Sequence, residues 1–459
     1  GTNSIKDTGF DVANSCRFNA PDDAYMHKTP SSDGSRRIGT FSIWVKLALN
    51  TPEGQYLFSG SPDASTTTAL LLSIDGDNLR FNGWTSNSQH MLLVTDRKFR
   101  DASAWYNIVV AWDTTQGTAS NRVKIYVNGV QETSFSTETY PDQNRDLNIN
   151  NASNKTLIGA RSTANYAFAD GYYSEVVMID GTALTPTSFG EFDEDSGIWK
   201  PIDVSGLTFG TNGFYLDFED SSNLGNDANG GTDFTEVNLA ATDQSTDTCT
   251  NNFATLNPLD NYFAGSTFSE GNLKVVTTGG NITYNTSTIG FSSGKWYMET
   301  KLAGSSGYTV GVVRGVATAN DNNNKLGNRA DGWSYDDGGD VEHNGGSLGG
   351  SFASYSSGNI IGIYADLDNN KLYFSKDGSL QNSGTGLTLT AGTYFFAVGD
   401  NNASNSSTYE VNFGSPPYAI SSGNTDGEYG NFEYSTTITG DGASKTFKAL
   451  NTKNLSEYG

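Results

Sequence analysis

The stretch AWDTTQGTASNRVKIYVNGV, residues 111–130, decides the fold class. An apolar strand ends at Asp113, a polar turn follows, and an alternating strand closes at Asn128-Gly129. Val123, Ile125 and Val127 fall on one face of that strand, with Arg122, Lys124 and Tyr126 on the other. Period-2 alternation predicts one face on a core and one in water. Asn-Gly favours the positive φ angles of a tight hairpin. The device recurs in IYADLDNNKLYFSKDGS, residues 363–379, where Leu372 and Phe374 alternate with Lys371, Tyr373 and Ser375 before Asp377-Gly378. Two such hairpins predict two antiparallel β-sandwiches in tandem, a scaffold that binds more often than it catalyses.

The rest of the composition fits that reading. The 459 residues suffice for two or three full cores. Only 35% are hydrophobic, but 25 Phe and 23 Tyr supply core material. With 53 glycines, abundant Asn, Ser and Thr, and just 17% charged residues, the chain is rich in turn formers and poor in helix formers. It is expected to be all-β.

A formal net charge of −24 excludes nucleic acid and anionic membranes as partners, because phosphate-rich surfaces are held by Lys and Arg. The acidity either keeps the particle soluble or supplies carboxylates for Ca²⁺, which prefers oxygen ligands. Asp366-x-Asp368-x-Asn370 opens like an EF-hand loop, but Lys371 stands where glycine is needed, so it reads as a hairpin turn. Cys16 and Cys249 are too few for a disulfide scaffold and are expected to be free thiols, with one long-range bridge between them as the alternative. No apolar run reaches 18 residues and no signal-peptide pattern is found; the start at Gly1 points to a processed or truncated form.

Four regions are expected. Strands such as GTFSIWVKLAL, ALLLSIDGDNLRFNGW and GYYSEVVMID fill residues 1–220. Residues 221–257 are polar and read as a linker. A second sandwich covers 258–418 and stops at Pro416-Pro417. Residues 419–459, too small for a core of their own, form a tail that must dock on something.

At the level of motifs, SIWVKL, WYNIVVAWD, KIYVNGV and LIGAR…YYSEVVMID make the first region resemble a laminin-G or pentraxin-type domain of the concanavalin A-like superfamily. KWYMETKL, VGVVRG, DGWSYDDGGDVEHNG and IGIYADLDNNKLYFSKDG, in that order, make the second resemble a SPRY domain. Together with the RFN…DDAY opening, the TCTNNFATLNPL bridge and the FKALNTKNL ending, the series resembles structural proteins of tailed bacteriophages. That resemblance implies a jelly-roll-like, non-enzymatic fibre, decoration or receptor-binding protein of the virion, with a bacterial extracellular adhesin or filament subunit as a rival reading. Its expected partners are other virion proteins, a host-surface glycan or receptor, and further copies of itself in a homo-oligomer.

The concanavalin-like fold also hosts glycoside hydrolases, which need two carboxyls about 5.5 Å apart to retain configuration, or roughly 6.5–9.5 Å to invert it. Glu191, Asp193 and Asp195 in GEFDEDSG alternate, but Glu194 intervenes and the surroundings read as a loop. Asp217 and Glu219 alternate in YLDFE, a better strand that should close the sheet edge. The three histidines, His27, His90 and His343, form no HxH or HExxH pattern, and no GxSxG elbow exists. No catalytic residue is therefore assigned.

Binding is expected in the loops that connect strands. In the second region these are residues 317–335 and 399–407, with Asn320, Asp321, Asn322, Trp333, Tyr335, Asn401 and Asn402 as candidates. Amides and carboxylates can hydrogen-bond sugar hydroxyls, and an exposed aromatic ring can stack on a pyranose. In the first region the segment around Trp84 plays that part, and Asp142 and Asp146 are the candidate Ca²⁺ ligands.

Overall fold

The computed structural model describes residues 9–459 except 49–53, 63–66, 164–166, 263–264, 305, 316–324 and 405. Two compact units divide it, one formed by Asp7–Thr250 and the other built mainly from Asn251–Gly459. Both are antiparallel β-sandwiches, so the fold is all-β as expected.

The first unit faces two eight-stranded sheets against each other. One runs outward from Ile38–Leu47, which pairs with Trp105–Asp113 on one side and Gly171–Asp180 on the other. Trp105–Asp113 in turn pairs with Val123–Val127, the second arm of the 111–130 hairpin. The other sheet is a meander through Gln55–Ser61, Ala69–Asp75, Asn78–Thr85 and Ser88–Lys98. Phe41, Ile43 and Val45 meet Phe58, Leu70 and Leu72 in the core between them. The Phe41 and Phe58 rings stack with centroids 4.3 Å apart.

The first unit does not end at residue 220. Thr235–Val237 pairs with Tyr25–Lys28 at the edge of one sheet, and Gln244–Ser245 pairs with Ser15–Phe18 at the edge of the other. The stretch 221–250, expected as linker, is thus edge strand and packed loop. Its few apolar residues anchor it, since Leu224 and Phe234 are buried in the first unit's core, while its polar residues satisfy backbone groups at the sheet edges.

The second unit pairs a seven-stranded with a nine-stranded sheet. Lys295–Gly304 lies in the larger sheet between Ile360–Asp366 and Ser407–Asn412. Lys448–Ala449, from the C-terminal tail, adds a short parallel pairing to it. Tail residues Phe432, Phe447 and Ala449 pack with Tyr297, Tyr364 and Tyr373 in a cluster of their own. For that reason Tyr373, placed by alternation on a water-facing side, is only 3% exposed. Cys16 and Cys249 are free, and burial raises both thiols well above their ordinary pKa.

Candidate binding cleft of the first unit

The 111–130 hairpin also builds a cleft of about 340 Å³. Its floor comes from Ala111, Lys124 and Tyr126 on the sheet face turned away from the core, where Ala111 pairs with Lys124 and Val109 with Tyr126. Residues 183–185 form one wall, and Gln116 and Asn121 the other. A volume at the lower end of the roughly 300–1,000 Å³ range typical of small-molecule sites suits a compact polar ligand.

Side chains fix both walls. Thr40 Oγ1 donates to the Thr182 carbonyl (2.9 Å) and accepts from the Leu184 amide (2.8 Å). Arg122 donates from Nε to the Gln116 carbonyl (2.8 Å), from Nη2 to that of Gly117 (2.9 Å) and from Nη1 to that of Pro141 (2.8 Å). A planar guanidinium spends its donors on three carbonyls at once, which holds the opposite loop in one shape.

Within the cleft the acid is already satisfied. Asp113 accepts from the Thr115 amide (3.0 Å) and hydroxyl (2.6 Å) and from Gln116 Nε2 (2.5 Å). Burial pushes its carboxyl up, but the bonds from Thr115 and Gln116 outweigh this and hold it below its ordinary value. Tyr126 is half-buried beside Val109 and Val177, and that burial raises its phenol. Lys124 makes no side-chain hydrogen bond, ion pair or ring contact, alone among the described lysines.

The expected loop residues fare differently. Asn320, Asp321 and Asn322 lie outside the described residues. Trp333 is 1% exposed, its ring stacked on His343 at 3.9 Å and its indole donating to the Thr388 carbonyl (3.2 Å). Tyr335 is fully buried and donates to the Ala353 carbonyl. Neither ring can receive a ligand, because Gly332–Asp336 is a strand paired on both sides rather than part of a loop. Asn401 braces its own loop through Asp337 Oδ1 (2.8 Å), whereas Asn402 is exposed and only accepts from the Ser404 amide (2.9 Å). Trp84 is half-buried in its strand, with Asn148 Nδ2 donating to its carbonyl (2.6 Å).

Asp142 and Asp146 do not fit Ca²⁺. Each faces an arginine, Arg145 at 3.8 Å and Arg37 at 2.7 Å respectively. Among the described residues no group of three His, Cys, Asp or Glu side chains converges as a metal site would require.

Glu191 and Asp193 flank Lys200 at 3.4 and 3.5 Å and brace a two-stranded ribbon, while Glu194 and Asp195 are exposed. Asp217 and Glu219 follow the Phe214–Leu216 strand, where the Glu219 amide donates to Asp217 Oδ1 (3.2 Å). Near them stands a residue that pattern and spacing do not single out. Glu175 has φ +50° at the register break between Ser174 and Val177, and Tyr215 donates to its Oε2 at 2.7 Å. Burial, opposed by that hydrogen bond and reinforced by the charges of Asp217, Glu219 and Asp203, pushes its carboxyl up to about 8. An acid in the middle of the apolar strand YYSEVVMI is the one signal that points to it.

Two segments of the chain match known family models. Residues 22–188 match the concanavalin A-like lectin/glucanases superfamily, and residues 295–415 match the SPRY domain. No curated protein matches the chain. Among solved structures, the SPRY domain of human HERC1 is 18% identical over 34% of this chain and 96% of its own, with a TM-score of 0.28. The heptameric SAP-like pentraxin of Limulus polyphemus is 16% identical over 38% of this chain and 80% of its own, with a TM-score of 0.29. Part of the first unit is thus similar to concanavalin A-like domains and part of the second to SPRY domains, matches that suggest binding of a ligand or another protein.

Proposed function

We propose that this is a non-enzymatic binding protein whose first unit holds a glycan in the Lys124–Tyr126 cleft. The observation that carries the reading is a pocket with two braced walls, in which the Lys124 ammonium and the Tyr126 hydroxyl are left open to a ligand. Open hydrogen-bonding groups, an aromatic ring and the small apolar side chains of Ala111, Ala183 and Leu184 are what a sugar's hydroxyls and C–H faces require. The setting proposed for it is a tailed-bacteriophage particle, on which it contacts other virion proteins and the host surface. The order of modules along the sequence supports that setting.

A glycan array, probed with the intact protein and with Tyr126→Ser, tests the reading. Selective binding lost in the variant is expected; equal binding by both proteins rules the cleft out.

A hydrolase reading has one feature in its favour, the buried Glu175, whose carboxyl is pushed up to about 8 by burial and by the nearby charges of Asp217 and Glu219. Against it, Glu175 is 5% exposed and covered by Tyr215, so no substrate reaches it in this conformation. Polysaccharide release that disappears in the triple variant Glu175→Gln, Asp217→Asn, Glu219→Gln would overturn the non-enzymatic reading.

A further inference from the structure

Resting on the glycan reading, we infer that the cleft selects an anionic sugar, one bearing a carboxylate or a sulfate ester, with Lys124 as the specificity-determining residue. Other described lysines without a carboxylate partner still bond backbone carbonyls, as Lys98, Lys371 and Lys376 do, or lie over a ring, as Lys301 does, so an ammonium with no partner of any kind is the exception to be explained. Lys124 is half-buried on the cleft floor and lies opposite Ala111, which offers it nothing polar. The acid that could have neutralised it, Asp113, has its oxygens engaged by Thr115 and Gln116 and forms no ion pair with it. Arg122, the neighbouring cation, spends its donors on three backbone carbonyls.

An ammonium whose stem lies on the cleft floor and whose donors have no partner within the protein is free to meet an anion on a ligand. The ligand's anion would receive a charge-assisted hydrogen bond from the ammonium while its ring lies toward Tyr126 and Leu184. A single ammonium is a point charge rather than a fork, so it selects for charge and position, not for one anion's shape.

Calorimetric titration tests the inference with four probes: a galacturonic acid trimer, the neutral galactose trimer, a sulfated galactose trimer and inorganic sulfate. Lys124→Gln should weaken one or both charged trimers about tenfold, the size of one charge-assisted hydrogen bond, and leave the neutral trimer unchanged. Which charged trimer binds distinguishes carboxylate from sulfate. Lys98→Gln, which changes the net charge equally on the other sheet, should leave all four unchanged. Neutral and charged trimers bound alike, with Lys124→Gln affecting neither, would overturn the charge inference and spare the glycan reading. Equal losses from Lys98→Gln and Lys124→Gln would also overturn it, as bulk electrostatics. If no trimer binds and the Tyr126 ring resonances stay fixed, the glycan reading itself fails. Inorganic sulfate bound as tightly as the sulfated trimer would mean a simple anion site and overturn the inference.

Discussion

The ammonium of Lys46 lies 2.7 Å from the carboxylate of Asp247, with both side chains 1% exposed and the two residues 201 positions apart in the chain. Trp105 Nε1 donates to the other carboxylate oxygen (3.1 Å), and the Ser15 hydroxyl to the Asp247 carbonyl (2.6 Å). Burial lowers the Lys46 pKa and Asp247 opposes that change, the pattern of a buried pair held by its partner. Breaking one side of such a pair costs about 3–5 kcal/mol, while an apolar replacement of both is close to neutral. Asp247→Ala should therefore destabilise the first unit by about that much in urea unfolding, and Lys46→Met with Asp247→Leu should recover most of it. A single-variant loss below ~1 kcal/mol would show the pair to be incidental.

That pair also marks where the sequence stops being legible. Alternation puts Lys46 opposite Val45 and so in water, just as it puts Tyr373 opposite Phe374. The period and the hairpin turns hold in the fold: Val123–Val127 alternates buried and half-buried, and Asn128 has φ +48°. What fails is the equation of the second face with solvent. In both units polar segments without a hydrophobic pattern cover that face, carrying Asp247 in one and Phe447 in the other. Composition cannot reveal this, because a covering loop needs only a few anchoring side chains. The cleft is hidden for a related reason. Lys124 reads as the wet side of a strand, and only the folded 183–185 wall turns that side into a pocket.

Glu175 should make stability depend on pH. Its carboxyl titrates at about 8 in the folded chain, against an ordinary value of 4.5. The folded state therefore binds this proton more tightly than the unfolded state. Its stabilising contribution is complete below about pH 4.5 and is lost as pH rises through 8. Each tenfold gain in proton affinity corresponds to roughly 1.4 kcal/mol, so the effect is on the order of a few kcal/mol. The parent protein should lose stability between pH 5 and pH 8, and Glu175→Gln should flatten that fall. Parallel curves for the two proteins would mean that Glu175 titrates normally.

Glu299 should govern how firmly the C-terminal tail is held. Its buried carboxylate accepts from Asn412 Nδ2 (3.0 Å), the Tyr297 hydroxyl (3.0 Å) and the Glu433 amide (2.8 Å), the last lying in the tail. The Tyr418 hydroxyl (3.3 Å) and Tyr434 amide (3.3 Å) add to these. Burial pushes the carboxyl up, and this ring of donors opposes it. Glu299→Ala leaves several buried donors unsatisfied at about 1–3 kcal/mol each. Cleavage within residues 419–459 under limited proteolysis should accelerate at least tenfold, with dye-binding apolar surface appearing as Tyr364 and Tyr373 lose their cover. An unchanged cleavage rate would assign the tail's hold to the Phe432 and Phe447 contacts instead.

Gly129 offers a test of the 111–130 hairpin itself. Its φ of +78° lies in the left-handed region, and a Cβ there would stand 2.3 Å from Cε3 of Trp199. Trp199 has little room to retreat, since it is 7% exposed, its Nε1 donates to Asn107 Oδ1 (3.0 Å) and Phe192 packs edge-on at 4.9 Å. Gly129→Ala thus combines left-handed strain of about 1 kcal/mol with overpacking of about 1–3 kcal/mol. The double variant Gly129→Ala, Trp199→Leu should relieve the second cost and retain the first, so that the two substitutions couple strongly in a double-mutant cycle. Additive losses would mean that the turn and the indole are independent. The glycine would then be required by the hairpin alone.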